Sequence, residues 1–340
     1  MDVKKTLGKT LMRYLIDNLI PGKRASTANL ISLALILLAM HQSVLAKEHM
    51  IIVSGLGGDV RFQANFNGQA RQLYDAAISL GLDESQIQLL LNDDATKTNI
   101  IAAISSIDSS SEDSVQVHLI GHGSFDGIQY KYNIPGPDIT DGELAAELNE
   151  LAGTQMVALM TSSSGAAMER LRGDNRLVIT ATKSGLQKNA SVFSRFWAEG
   201  ADLNNTDLNK NEIISVGELY SYTTERVKDY YEYEGLIASE ASLFEGPPGI
   251  DADLFNLARI GQLANAVISV QTEALIAERA NVEVKLSELS SRRQALSDDD
   301  YFAELQDLML ELGLLQQQID RELEQEPEQG PDGQNAGGLE

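Results

Sequence analysis

From residue 50 onwards, the chain alternates short apolar runs with longer segments of helical periodicity. The runs that we interpret as buried strands lie at 50–58, 85–91, 114–124, 154–160 and 175–185. The segments of helical periodicity between them lie at 64–80, 96–107 and 138–151. Strands separated by helices of this length are joined by crossovers, which place the strands parallel and cover both faces of the sheet. The sequence therefore predicts an α/β fold with a mainly parallel sheet flanked by helices.

The composition excludes several classes of function. The formal net charge is −24 and no basic patch follows residue 47, so we expect no binding to nucleic acid. The chain contains no cysteine, which excludes disulfides, thiolate metal sites and thiol catalysis. An imidazole base has to come from the four histidines, which are His41, His49, His118 and His122.

Residues 1–46 have the features of an export signal. Six basic residues precede an apolar run of 11 residues at 30–40, and Val44 and Ala46 occupy the small-residue positions of a cleavage site. The run is shorter than the ~20 apolar residues that span a bilayer, so we predict a cleaved signal and a mature chain that begins near residue 47. The protein would then be periplasmic or extracellular. The alternative is an uncleaved membrane tether at 27–46.

The C-terminal part has the pattern of a helical pair. Residues 252–324 are predicted to form two long helices with a break at 297–300, where Ser297 and Asp300 resemble a capping box. Apolar residues fall near one face of each helix, which favours an antiparallel hairpin or coiled coil. This hairpin would pack on itself, on the sheet domain, or on a second subunit or another partner.

Together these patterns predict four parts of the chain. A signal peptide or anchor at 1–46 precedes the sheet domain at 47–245. The helical hairpin follows at 252–324, and residues 325–340 have the composition of a disordered tail.

Polar motifs follow two of the predicted strands. The sequence HLIGHGS places His122 at the end of one strand, and ALMTSSSG places Ser162 at the end of the next, 40 positions later. Because the carboxyl ends of parallel strands meet at one edge of a sheet, we expect His122 and Ser162 to lie side by side.

These two motifs resemble those of the caspase–legumain superfamily of cysteine peptidases, most closely its legumain-like (peptidase C13-like) branch. His122-Gly123 matches the family's catalytic His-Gly, and Ser162-Ser163-Ser164-Gly165 matches its Cys-x-Ser-Gly motif. The resemblance covers roughly residues 50–235 and implies a caspase-like three-layer α/β/α fold. It also implies that His122 and Ser162 occupy the positions of the catalytic dyad, with Gly123, Ser164 and Gly165 framing the site.

The resemblance also suggests a residue of the substrate pocket. Arg61 occupies roughly the place of the pocket arginine of legumain-like peptidases. Met160 stands where legumains have an acid, so their asparagine specificity does not carry over. The alternative for Arg61 is a solvated charge at the start of a helix.

Serine in place of cysteine changes the expected chemistry. A thiol pKa near ~8.5 needs only a modest shift for nucleophilic attack, whereas a serine hydroxyl needs a base to remove its proton. We therefore predict a peptidase homologue that is weakly active or inactive, and the sequence leaves open whether the protein is an enzyme. In an active form His122 would be the base and Ser162 the nucleophile, with the N–H groups of Gly123 and Ser162 as oxyanion donors.

Other interpretations stay open at this point. A non-catalytic scaffold protein would hold a peptide or protein in the same cleft and recruit a partner through its helical hairpin. A peptide transamidase is a third alternative, because some legumain-like relatives transfer acyl groups to amines. In a purely structural interpretation, the residues TSSSG form a turn. Their hydroxyl groups then hydrogen-bond nearby backbone groups and have no catalytic role.

The segment 207–218 matches the spacing of a calcium-binding EF-hand loop. The candidate ligands at positions 1, 3, 5, 7, 9 and 12 are Asp207, Asn209, Asn211, Ile213, Ser215 and Glu218. Glu212 stands at the position where EF-hand loops have glycine, so the alternative is a polar loop between two helices. Apart from calcium at this loop, we expect no required cofactor.

Overall fold

The computed structural model describes residues 47–201, 203, 205–236, 243–246, 252–264, 266 and 268–325. The predicted leader at 1–46 and the tail beyond Gln325 lie outside the described residues. None of the helices in the described ranges is both long and apolar enough to cross a lipid bilayer.

The described strands alternate with helices along the chain. In chain order the strands are β1 (Glu48–Ser54), β2 (Ile87–Leu90), β3 (Ser114–Gly121), β4 (Gly123–Phe125), β5 (Tyr130–Tyr132), β6 (Ile139–Thr140), β7 (Thr154–Thr161), β8 (Arg176–Thr180), β9 (Ile213–Ser215), β10 (Leu243–Glu245) and β11 (Asn256–Arg259). The α-helices are α1 (Val60–Leu80), α2 (Lys97–Ser105), α3 (Asp141–Leu148), α4 (Met168–Leu171), α5 (Phe193–Gly200), α6 (Val216–Tyr233), α7 (Val270–Ser291) and α8 (Asp298–Gln325).

The main sheet has the strand order β10-β8-β7-β3-β1-β2. All neighbouring strands run parallel except β10, which pairs with β8 in the antiparallel direction. This arrangement confirms the predicted mainly parallel sheet. Gly121 pairs with Thr161 in the register of β3 and β7, so these two strands end level with each other.

Helices cover both faces of the sheet. Met50 and Ile52 of β1 pack in the cluster that includes α1, α5 and α6, whereas Ile51 and Val53 pack in the cluster that includes α2, α3 and α4. All four β1 side chains are fully buried, which explains why this strand is a continuous apolar run rather than an alternating one. The three-layer α/β/α arrangement follows from this double coverage.

A small three-stranded sheet, β4-β5-β6, closes the carboxyl ends of three main strands. The Tyr132 hydroxyl, which has one proton to donate, lies 3.1 Å from the Val53 carbonyl oxygen and 2.7 Å from that of Ile120. The Tyr130 hydroxyl hydrogen-bonds the hydroxyl of Thr161 at 2.6 Å. Burial raises the pKa of both tyrosines, so both phenols stay neutral. The two hydroxyl groups thus satisfy polar atoms at the ends of β1, β3 and β7.

The C-terminal helices form the predicted antiparallel hairpin, but the helical region starts later than expected. Residues 256–259 form β11 and pair with β9, so α7 begins at Val270 rather than near residue 252. Buried apolar residues join α7 to α8, namely Val282, Leu289, Leu308 and Leu315. The Asp300 N–H donates to the Ser297 hydroxyl at 3.1 Å, which caps α8 at the predicted break.

We predict that Tyr132→Phe lowers the free energy of unfolding by about 1–2 kcal/mol, because the variant leaves buried carbonyl groups without their hydroxyl donor. Urea denaturation measures this change. Tyr233→Phe is the matched control, since Tyr233 is exposed and its hydroxyl removal should change stability little. Equal stabilities of the Tyr132 variant and the wild type would show that the hydroxyl contacts do not stabilise the sheet edge.

Candidate functional site

The backbone brings together His122 and Ser162, the two residues of the predicted dyad. His122 and Ser162 are the first residues beyond the paired ends of β3 and β7. The Ser162 hydroxyl donates to the Gly123 carbonyl at 2.9 Å and accepts from the Gly123 N–H at 3.2 Å. Ser162 is only 2% exposed. Its hydroxyl is therefore held by the backbone of the residue that follows His122.

The imidazole of His122 points to a different set of partners. Its ring lies edge-on to Phe62 and Phe66 of α1, with centroid separations of 5.0 and 5.1 Å. The described residues make no hydrogen bond to this imidazole. A base that acts on Ser162 needs such a bond, so nucleophile and base are close along the backbone but not connected through their side chains.

The predicted oxyanion donor is also occupied. The Gly123 N–H points at the Ser162 hydroxyl rather than into open space. A Cβ atom on Gly123 would lie 2.6 Å from the Ser162 carbonyl oxygen, so glycine is needed for this close approach. In this arrangement the Gly123 N–H stabilises the ground-state hydroxyl of Ser162.

Residues 163–165 anchor the turn after β7 to the loop after β8. Ser163 has a positive φ of 59° and donates its N–H to the Gln187 carbonyl at 2.8 Å. The Ser164 hydroxyl accepts from the Thr182 N–H at 3.2 Å, and the Gly165 N–H donates to the Thr182 hydroxyl at 3.0 Å. The predicted framing residues Ser164 and Gly165 therefore position the turn.

Asp59 is a site residue that the sequence analysis missed. Its carboxylate caps α1 by accepting the N–H groups of Arg61 and Phe62, at 2.8 and 3.0 Å. The Phe62 N–H is the main cause that lowers the pKa of Asp59, and the charges of Arg61 and His122 add smaller contributions. The sequence does carry a signal for this residue, because an aspartate directly after the Gly-Gly turn is typical of a helix N-cap. Arg61 itself is exposed in the first turn of α1, next to Phe62.

The loop 207–218 adopts the tight turn that the EF-hand spacing requires. Lys210 and Glu212 both have positive φ, at 62° and 63°. The two carboxylate oxygens of Asp207 accept the N–H groups of Asn211 and Glu212, each at 3.1 Å. The Asn211 side chain accepts the Ile213 N–H at 2.8 Å. Glu212 thus takes the left-handed conformation for which EF-hand loops have glycine.

Glu218 closes the loop from its other end. One carboxylate oxygen accepts the N–H groups of Leu208 and Asn209, at 2.9 and 3.2 Å. The other accepts both the N–H and the hydroxyl of Ser215, each at 3.0 Å. Burial is the main cause that raises the pKa of Glu218. Both oxygens that would bind a cation are therefore engaged within the loop.

Two side chains from α7 reach this loop and were missed by the sequence analysis. The Glu283 carboxylate accepts from the side-chain amides of Asn209 and Asn211, at 3.2 and 2.9 Å. The Arg279 guanidinium donates to the Asn211 carbonyl at 2.8 Å. Within the described ranges, no three acidic or histidine side chains are grouped closely enough to hold a metal ion. No local signal marks these contacts, because they join segments about 70 residues apart.

Comparisons with known proteins identify no family. No protein-family model and no curated protein matches the chain. The chain is similar to a solved structure from Geobacter sulfurreducens, with 13% identity and a TM-score of 0.42 over 63% of this chain and 100% of that chain. It is similar to the Drosophila initiator caspase Dronc, with 11% identity and a TM-score of 0.38 over 59% and 79% of the two chains. It is also similar to pro-sf-caspase-1, with 11% identity and a TM-score of 0.37 over 59% of this chain and 92% of that chain. Scores this low define neither a family nor a function.

His118 lies on β3 before the site and is part of the core. It is fully buried, and both ring nitrogens lack hydrogen-bond partners among the described residues. Its ring centroid is 6.2 Å from that of Trp197, which in turn stacks on Phe193. Burial lowers the pKa of His118 to about 3. The ring therefore stays neutral in the folded protein at neutral pH.

We predict that this burial makes the fold sensitive to acid. Below its ordinary pKa of about 6.5, His118 takes up a proton in the unfolded chain before it does so in the folded one. Its contribution to stability is thus present above pH ~6.5 and is lost as the pH falls towards ~3, by up to about 1.4 kcal/mol per pH unit. Urea denaturation of the wild type and His118→Met from pH 7 to 4 checks this. Parallel pH profiles for the two proteins would contradict it.

Proposed function

We propose that this protein is an exported peptidase homologue of the caspase–legumain type with little or no peptidase activity. The observation that carries this proposal is the pair of hydrogen bonds between the Ser162 hydroxyl and the Gly123 backbone. The level ends of β3 and β7 support the proposal, because they bring the backbones of His122 and Ser162 to the same edge of the sheet. The side-chain contacts, however, do not connect them.

Three changes separate this arrangement from a working serine nucleophile. The Ser162 hydroxyl would have to release the Gly123 carbonyl, and the His122 imidazole would have to leave Phe62 and Phe66. The Gly123 N–H would also have to turn from the hydroxyl to the developing oxyanion. Each change breaks a contact of a buried or half-buried group. A hydroxyl gains little in return, because it ionises far less readily than a thiol.

Restoring the thiol tests whether the frame of the site is intact. We predict that the wild type and Ser162→Ala cleave a peptide-substrate library equally slowly, and that Ser162→Cys cleaves at least ~10-fold faster, because a thiolate needs only a modest pKa shift. Adding His122→Ala to Ser162→Cys should abolish the gain. Ser164→Cys is the matched control and should gain no activity.

Two results would contradict this proposal. Cleavage by the wild type that is lost in Ser162→Ala would establish a serine mechanism. Absence of cleavage by every variant would favour the non-catalytic scaffold protein over a peptidase homologue with an intact site.

A second candidate is a non-catalytic peptide-binding protein. Four exposed apolar side chains lie in segments around the carboxyl edge of the sheet, namely Leu56, Val60, Ile128 and Leu186. Exposed apolar side chains at the carboxyl edge of a parallel sheet, where ligands bind in α/β folds, are the observation that favours this function. Peptides that bind to the wild type, lose affinity with Leu186→Ser and are not cleaved would favour this function.

We further propose that the loop 207–218 binds calcium weakly. The positive φ angles of Lys210 and Glu212 support this, because they allow the oxygens of the candidate ligands to converge. A bound cation would displace the N–H groups of Leu208 and Asn209 from Glu218, which reduces the net gain. Glu283 would add a further carboxylate next to Asn209 and Asn211.

Thermal denaturation in calcium tests this site. With a dissociation constant near ~1 mM, 10 mM calcium should raise the melting temperature by about 2–4 °C. Asp207→Asn should abolish the shift, whereas Asp75→Asn, which removes an exposed acid of α1, should retain it. An unchanged melting temperature of the wild type at this calcium concentration would remove the proposal.

A further inference from the structure

The turn 110–113 joins the amino ends of three strands of the main sheet. The Ser114 N–H donates to the Lys47 carbonyl at 2.9 Å, where the pairing of β3 with β1 begins. The Asp113 carbonyl accepts the Thr154 N–H at 3.0 Å, where the pairing of β3 with β7 begins. This turn therefore aligns the starts of β1, β3 and β7, at the end of the sheet opposite the candidate site.

The carboxylate of Asp113 is buried at this junction, with the residue only 3% exposed. One carboxylate oxygen accepts the Ser110 N–H and the other accepts the backbone N–H of Lys47, each at 2.7 Å. Burial alone would raise the pKa of Asp113, but the N–H groups of Ser110 and Lys47 more than offset this effect, so its pKa is lowered. The group is therefore a buried anion at neutral pH.

No cationic side chain in the described part of the chain forms an ion pair with this anion. His49 lies two residues beyond Lys47, but burial is the main cause that lowers the pKa of His49, so its imidazole is neutral at neutral pH. Buried carboxylates in proteins are usually paired with a positive charge. A positive charge on the Lys47 nitrogen would make the contact with Asp113 a buried ion pair.

We propose that a signal peptidase cleaves the chain between Ala46 and Lys47, and that the new α-amino group of Lys47 forms an ion pair with the Asp113 carboxylate. Hydrolysis adds one water molecule across the peptide bond, so Ala46 ends in a carboxylate and Lys47 begins with an ammonium group. An α-amino group with an ordinary pKa of ~7.7–8.0 is mostly protonated at pH 7. The nitrogen that gains this charge already lies 2.7 Å from the Asp113 oxygen.

The sequence favours the same cleavage position, because Val44 and Ala46 are small residues at the positions that a signal peptidase recognises. The inference rests on the export that is part of the proposed function, and it does not depend on the chemistry of the candidate site. It adds a structural role for cleavage, since the ion pair would strengthen the junction at which β1, β3 and β7 begin.

The first residue of the exported protein is the first test. The full chain is expressed in a bacterial host, and intact-mass spectrometry of the exported fraction should give a chain that begins at Lys47. A chain that begins at another residue, or that retains residues 1–46, would overturn the inference. Absence of the protein from the exported fraction would overturn both the inference and the export assumed in the proposed function.

The charge of the α-amino group is tested by one additional residue. The exported chain is compared with a chain prepared to begin at Ala46, in which the Lys47 nitrogen is an uncharged amide. This nitrogen contacts Asp113 as an amide of the full chain, so the additional residue removes the charge and not the contact. The chain that begins at Ala46 should melt at least ~3 °C lower at pH 7. A smaller difference would overturn the ion pair.

Asp113→Asn tests the other partner, because it removes the negative charge and keeps the size of the side chain. It should lower the melting temperature by at least ~3 °C more in the chain that begins at Lys47 than in the chain that begins at Ala46. Asp108→Asn is the matched control, since this exposed acid lies in the same loop and should change both chains equally little. Equal losses with Asp113→Asn in the two chains would overturn the ion pair and leave the proposed function unaffected.

Discussion

The level ends of β3 and β7 are the constraint on which the candidate site depends. Backbone pairing of Gly121 with Thr161 places the next residues of both strands at one edge of the sheet. The tyrosines of the β4-β6 sheet hold this edge, because their hydroxyl groups satisfy polar atoms at the ends of three strands. The position of each functional side chain is therefore set by main-chain pairing and by two buried phenols.

Within this frame, the chemistry of the site is decided by local hydrogen bonds. A thiol at position 162 would make only weak hydrogen bonds with the Gly123 backbone, whereas the serine hydroxyl makes two well-formed ones. The same glycine that a catalytic site would use for charge stabilisation here stabilises a neutral hydroxyl. A cysteine at position 162 would therefore differ from Ser162 both in reactivity and in its contacts with Gly123.

The sequence was informative wherever the signal is periodic or local. Apolar runs predicted the parallel sheet, and the motifs after two of them predicted the adjacency of His122 and Ser162. The prediction of a helix was wrong at 256–259. These four residues are compatible with a helix, and only pairing with β9 makes them a strand. The orientation of the His122 ring towards Phe62 and Phe66 was equally invisible, since it depends on packing between distant segments.

The stacking of Trp197 on Phe193 has a spectroscopic consequence. Trp197 is the only tryptophan of the chain, belongs to α5 and is fully buried in the core cluster that this helix shares with the sheet. Its fluorescence therefore reports on one layer of the molecule. Loosening of the face covered by α1 and α5 would move the emission to longer wavelength, whereas separation of α7 from α8 would leave it unchanged. A single native fluorophore can thus distinguish opening of the sheet domain from opening of the helical hairpin.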